Sequence, residues 1–286
     1  MRPEDQVLMT SAFFHFLRRY PTVAVGGLLM LLLVLIAIFA PWLGTHDPTQ
    51  IAPLYRTRSP SAQFWFGTDL LGRDVYSRVL YGTRVSLTVG FSVAVLSTAI
   101  GAVIGVIAGF VRWLDVVIMR IMDGFMSMPT ILLAIALIAL WHESMRTVIL
   151  AITIVEIPRV VRLVRGVVLS LREQAFVEAA VTAGASPWRI MYRHIFPNTV
   201  AALIVQGTYI LGVSILAEAS LSFIGAGVPP ITPSWGNIMA EGRALWQIRP
   251  HLIGFPAAFL SVTILSVNML GDGLRDALDP RMSKED

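Results

Sequence analysis

Cysteine is absent from all 286 residues, which excludes disulfides, thiolate-held zinc and iron–sulfur clusters. Lysine is almost as scarce. Of the 22 basic residues 21 are arginine, and the one lysine, Lys284, lies two residues from the end. A phosphate-cradling loop of the form G-x-x-x-x-G-K-[ST] therefore has no lysine to use, so any ATP hydrolysis belongs to another chain. Charge of either sign is thin, at 14% of residues against about a quarter in soluble domains. Catalytic patterns are missing too: there is no H-E-x-x-H and no G-x-S-x-G. His142 and Glu143 are adjacent but lack the second histidine of a metal site. The reading is a chain that is not an enzyme, with no catalytic residues, no metal site and no cofactor of its own.

What fills the space is apolar: 56% of residues are hydrophobic and the mean hydropathy is +0.72. A core of this size cannot hide so much apolar surface from water, so a bilayer must serve as part of the solvent. Six runs have spanning length, at residues 23–43, 85–110, 116–140, 146–161, 200–224 and 252–270. The fourth is the weakest, because Glu156, Pro158 and Arg159 fall at its end. The first run is about 21 residues long with no small-residue cleavage site after it, and reads as a retained helix, not a signal. The expected fold is an all-α integral membrane protein with about six transmembrane helices.

The arginines lie between the runs instead of forming one basic face with interleaved aromatics, so they mark topology and not nucleic acid. With the N-terminus inside, the inner segments hold 14 basic residues, from Arg2 to Lys284, against 8 in the outer ones. Both termini are therefore expected in the cytoplasm. The chain divides into residues 1–84, a cytoplasmic segment, first helix and periplasmic loop, and residues 85–286, a five-helix core with an inner loop at 161–198.

Gly101, Gly105 and Gly109 recur every four residues in the second run. Small residues at that spacing let another backbone approach closely, either within the subunit or around a translocation path. Glu218, deep in the fifth run, has the same two readings, as a path residue or a structural partner. Arg120 with Asp123, and Glu156 with Arg159, are three apart on a helix and read as pairs. Asp69, Arg73, Asp74, Arg78 and Arg84 form either a salt-linked loop on the outer rim or a docking surface, with the first favoured.

The inner loop carries the most information. Its first part, through Ala183, is rich in helix formers, and Gly184 is placed to end that helix in the left-handed conformation. Ser186 then supplies an N-cap oxygen and Pro187 suits the first helical position. A second short helix from Trp188 is expected to stop at Pro197. Val177, Val181, Ile190, Met191 and Ile195 are expected to supply apolar surface, with Glu178, Arg189 and Arg193 supplying charge. Such a projection suits docking into a groove of another protein, or lying in the lipid interface. Physics alone leaves these even.

Glu178-Ala179-Ala180, Gly184 and the ending His194-Ile195-Phe196-Pro197 resemble the EAA loop of ABC importer permeases. The ending departs from the usual I-x-L-P in the manner of the dipeptide/oligopeptide branch. Phe66-Gly67-Thr68-Asp69 with Gly72-Arg73-Asp74 and Ser77-Arg78 is similar to the segment before the core of its C-type (DppC/OppC-type) subunits. Asn268-Met269-Leu270-Gly271-Asp272-Gly273-Leu274-Arg275-Asp276, with Asp279-Pro280-Arg281, resembles their C-terminal signature. The resemblance implies a type I ABC importer permease fold. It also implies ATPase coupling through Glu178, Ala179, Ala180, Gly184, Ser186, Pro187, Arg189, His194 and Pro197. The implied partners are a B-type permease subunit in a heterodimer, two ATPase subunits that hold ATP and Mg, an extracytoplasmic substrate-binding protein, and the bilayer. The implied cargo ranges over dipeptides, longer peptides, glutathione and nickel chelates. The alternative is an ion-gradient-driven secondary transporter, which predicts acidic residues at the membrane midplane and repeated halves.

Overall fold

The computed structural model describes residues 18–278. Arg2, Arg281, Lys284 and the Asp279-Pro280-Arg281 part of the signature lie outside the described residues. Among the described residues there are ten α-helices, and extended pairing is limited to one isolated bridge between Thr68 and Asp74. Helix α1, Pro21–Phe39, opens on a proline at its first turn and is apolar on every side, as a helix in lipid must be. A loop follows, and then α2, Val75–Phe110. Asp74 caps α2 by accepting the Ser77 N–H at 2.9 Å. With 36 residues, α2 is roughly 54 Å long, well beyond a hydrocarbon core of about 30 Å.

Helix α3, Arg112–Met126, and helix α4, Thr130–Ala139, meet at a bend of 91°. The third run, read from the sequence as a single apolar stretch of spanning length, is thus broken in two. Pro129 has no N–H and disfavours helical geometry at Met128, so the ladder cannot cross the junction. Asp123 does not pair with Arg120 on its own helix. It meets Arg162 of α5, Met145–Arg172, at 2.7 Å, while Asp115 meets Arg165 of the same helix. The Glu156–Arg159 pair forms as expected, at 3.0 Å.

Helix α5 does not stop at Val161. It runs through Arg172, so only the last part of the 161–198 segment is separate from the bundle. Two short helices follow, α6 at Ala175–Thr182 and α7 at Pro187–Ile190, and then α8, Phe196–Ile224. Helix α9, Trp235–Gly242, precedes α10, His251–Leu278. Helix α2 packs along α5 and α8, α10 along α8 and α1, and α1 returns against α2. Among the described residues four helical stretches are long and apolar enough to cross a membrane, and the bent α3–α4 pair makes a fifth if it counts as one span. Helix α5 has the length, 28 residues, but from Glu156 onward it is charged with Glu156, Arg159, Arg162, Arg165 and Arg172.

The glycines of α2 settle into the α2–α5 seam. A methyl group on Gly101, Gly105 or Gly109 would come within 2.5, 2.7 and 2.7 Å of Val160, Val164 and Val168. All three glycines are buried by valines of the same chain. In this conformation they serve close approach within the subunit.

Candidate functional site

The elbow between α5 and α8 is built from local rules. Ala183 and Ala185 donate their N–H groups back to Ala179 and Ala180, each at 3.0 Å, which satisfies the last carbonyls of α6. Gly184 between them has φ +77°, a conformation an L residue adopts only with strain. The chain then reverses. Ser186 Oγ accepts the Arg189 N–H at 3.4 Å, and Pro187 takes the first position of α7, as the sequence suggests.

Pro197 does not end the second helix, which corrects that expectation. Residues Met191–Ile195 widen into a π-helical turn, and Phe196 N–H bonds Met191 O across five residues. The extra residue in the turn lets the chain pass into α8 with Pro197 in the first turn, where its missing N–H is harmless. Asn198 secures the junction by donating its side-chain amide to His194 O at 2.6 Å. The elbow is thus continuous with a spanning helix instead of hinged to it.

The apolar residues of the elbow divide into anchors and face. Val177, Ile190 and Ile195 are buried, while Met191 is half-buried. The exposed side presents Phe176, Val181, Trp188 and Tyr192, the last two 73% and 78% accessible. Glu178, Ala179, Arg189 and Arg193 are exposed around them, and Ala180 and His194 are half-buried. Phe176, Trp188 and Tyr192 escaped sequence reading. The signal that could have found them is the helical spacing of bulky side chains opposite Val177 and Ile190. Arg172 is a further addition. From the end of α5 it donates to Gly109 O at 3.0 Å and to Phe110 O at 3.3 Å, tying the base of the elbow to the end of α2.

Glu218 lies elsewhere. It is fully buried and accepts the hydroxyls of Ser222 at 2.8 Å and Ser86 at 3.2 Å. It joins α8 to α2 in the interior of the subunit. At the opposite end of α2, Asp69 accepts Arg73 Nε at 2.7 Å and an Arg78 guanidinium N–H at 2.6 Å. Both arginines also reach Glu241 of α9. Arg84 turns away from this cluster, donating to the carbonyls of Ala37 at 2.9 Å and Ile38 at 3.1 Å at the end of α1. The first loop is therefore salt-linked to the rest of the molecule. Glu241, its distant anchor, carried no sequence signal. Among the described residues no group of three or more His, Cys, Asp or Glu side chains is arranged to hold a metal ion.

Residues 101–284 match the family described as binding-protein-dependent transport system inner membrane component. Residues 9–60 match the N-terminal TM domain of oligopeptide transport permease C. A probable peptide ABC transporter permease of Sinorhizobium fredii is 49% identical, covering 97% of this chain and 95% of its own length. The dipeptide transport system permease DppC of Alkalihalophilus pseudofirmus is 42% identical over 98% of this chain and 93% of its own. The glutathione transport system permease GsiD of Escherichia coli is 44% identical over 99% and 94%. In fold the chain is similar to a chain of the inward-facing MetNI methionine ABC transporter. The TM-score there is 0.58 at 18% identity, covering 70% of this chain and 96% of that one.

An all-helical, multi-pass subunit with a rigid elbow at one end of its bundle is the class these features define, a permease of ABC transport. The chain belongs to the family of inner membrane components of binding-protein-dependent transport systems. Within that family an ion-gradient-driven carrier has no support.

Proposed function

We propose that this chain is one half of the translocation path of a peptide importer and takes its driving force from partner ATPases through the elbow. The observation that carries this reading is the elbow itself: a turn fixed by Gly184 and Ser186 that displays Phe176, Val181, Trp188 and Tyr192 to solvent while Ile190 and Ile195 anchor it. Exposed aromatics on a pre-organised scaffold suit docking into a groove of another protein. Because the π-turn makes α7 and α8 one stretch, a push on Trp188 is transmitted along α8 without a hinge to absorb it.

In this reading the elbow and both termini face the cytoplasm, in keeping with the excess of arginine on that side. The second permease is a B-type subunit, two ATPases hold ATP and Mg, and an extracytoplasmic binding protein delivers the cargo. The relatives named for peptides, dipeptides and glutathione support a peptide-sized, peptide-like substrate. Cysteine placed at Ala180 in the cysteine-free chain tests the docking role directly. It is expected to crosslink to a cysteine in the groove of the ATPase in the assembled complex. Crosslinking only to lipid-attached probes would sink the reading. Uptake by this chain alone in proteoliposomes, driven by a proton or sodium gradient, would sink it as well.

A further inference from the structure

Helices α1 and α2 leave a groove between them with a volume of about 490 Å³. Its walls are largely apolar, with Val34 and Ile38 from α1 and Leu87 and Phe91 from α2. None of the described residues lining it is acidic, and one is a cation, Arg84. Phe91 also borders a second apolar hollow of about 320 Å³, which lies between α2 and α8 and reaches Thr98. The trough therefore follows α2 from Arg84 to Thr98, or about 21 Å at the rise of an α-helix.

Arg84 is held in place at the head of this trough. Its Nε and Nη2 donate to Ala37 O at 2.9 Å and Ile38 O at 3.1 Å, in the last turn of α1. Its Cζ lies 5.6 Å from the centre of the Tyr81 ring. The residue is exposed, and its Nη1 has no partner among the described residues. A guanidinium N–H beside the exposed Ile38 and Phe91 is costly in hydrocarbon, and headgroup oxygens are what can satisfy it. The rings nearby put Arg84 within their reach. Trp42, 74% exposed, follows the end of α1, and Tyr76, about two turns before Arg84, donates its hydroxyl to Leu43 O. Aromatic side chains gathered in this way mark the boundary between bilayer and water.

We propose that the trough is a binding site for an anionic phospholipid, with its phosphate on Arg84 and one acyl chain laid along α2. One leaflet contributes about half of a hydrocarbon core of roughly 30 Å, so the trough is long enough to take a chain whole. A phosphate oxygen completes the pinned guanidinium with a charge-assisted hydrogen bond. With no acid in the lining, the ammonium of a zwitterionic headgroup finds no partner there, which favours a headgroup of net negative charge such as phosphatidylglycerol. The inference needs only that the chain spans a bilayer, and stands apart from the partners given under Proposed function.

The test uses the assembled transporter, purified in detergent and stripped of loosely held lipid, with bound phospholipid counted by native mass spectrometry. Phosphatidylglycerol and phosphatidylethanolamine with the same acyl chains are added in equal amounts. One phosphatidylglycerol per copy of this chain is expected to stay bound, with a preference of about tenfold. Arg84→Gln should weaken retention about tenfold, and Arg84→Lys, which keeps the charge but not the planar fork, about threefold. Thr88→Trp fills the groove from an exposed position and leaves Arg84 in place. It should lose as much lipid as R84Q, and it decides the matter if R84Q fails to assemble. Retention by T88W equal to the parent, or a headgroup preference below about twofold, overturns the site. Displacement of the lipid by inorganic phosphate alone overturns it as well, leaving a bare anion site. A parent complex that retains no lipid, together with a T88W variant that no longer assembles, assigns the trough to an apolar helix of another subunit instead.

Discussion

Gly184 shows how far one residue determines the elbow. A Cβ there meets nothing within 4 Å, so the constraint is the backbone angle of +77° and not space. Left-handed geometry costs an L residue about 1–2 kcal/mol, less for asparagine, whose side chain bonds locally. Gly184→Ala is therefore expected to lower ATP-coupled uptake about fivefold and Gly184→Asn much less, with membrane insertion unchanged in both. Equal uptake by Ala, Asn and Trp variants would show that the turn carries no force. The same scale separates two kinds of ion pair. Arg78, 1% exposed, holds Asp69 and Glu241 together, and Arg78→Met leaves the buried Asp69 and the half-buried Glu241 short of a partner. A loss of about 3 kcal/mol is expected, read as a lower Tm of the purified subunit. Arg162→Ala, where both partners are about half exposed, should cost about 0.5 kcal/mol or less. Gly184, Ser186 and Pro187 were legible because caps and positive φ are written in neighbouring residues. The Arg78–Glu241 contact was not, since 163 residues separate its partners.

Between elements, the informative surface is the α2–α5 seam. Ala in place of Gly105 would put its methyl 2.7 Å from Val164 Cβ and 2.9 Å from Val161 O, so the helices must separate. Overpacking of this kind costs about 1–3 kcal/mol. Val164→Gly alone leaves a void, yet combined with Gly105→Ala it takes away the Cβ that the new methyl would meet. The double variant is expected to be more stable than the sum of the singles by at least about 0.5 kcal/mol, measured by thermal unfolding in detergent. Strict additivity would mean that the two positions do not touch. Gly124→Ala, on the open face of α3, should be neutral or slightly stabilising. The four-residue glycine spacing announced a close approach but not its partner, because spacing describes one helix and packing requires two. Hydropathy likewise read residues 116–140 as one run and missed the break. A windowed average registers composition, and the 91° bend at Pro129 is a local steric event.

For the whole molecule, the decisive division is between side chains that hold the elbow to the bundle and those that face outward from it. Trp188 and Ile195 lie seven residues apart on one continuous stretch, 73% and 0% exposed. If the exposed face docks an ATPase, removing Trp188 subtracts contact area from the interface and almost nothing from the folded subunit. Truncating a central aromatic anchor typically costs 2 kcal/mol or more, about thirtyfold in affinity. Trp188→Ala should therefore weaken ATPase assembly about thirtyfold while leaving Tm within about a degree. Ile195→Ala should show the reverse order of effects, a loss of about 2–5 kcal/mol in subunit stability with assembly impaired only as far as the fold is lost. Assembly measured by titrating ATPase onto the permease pair in nanodiscs, alongside unfolding of the subunit, separates the two. If Trp188→Ala and Tyr192→Ala both assemble like the parent, the aromatic face belongs in the lipid headgroup region, and force must enter the bundle elsewhere. The contrast is informative because both substitutions remove apolar bulk from the same elbow, so only the direction each side chain faces can make their consequences differ.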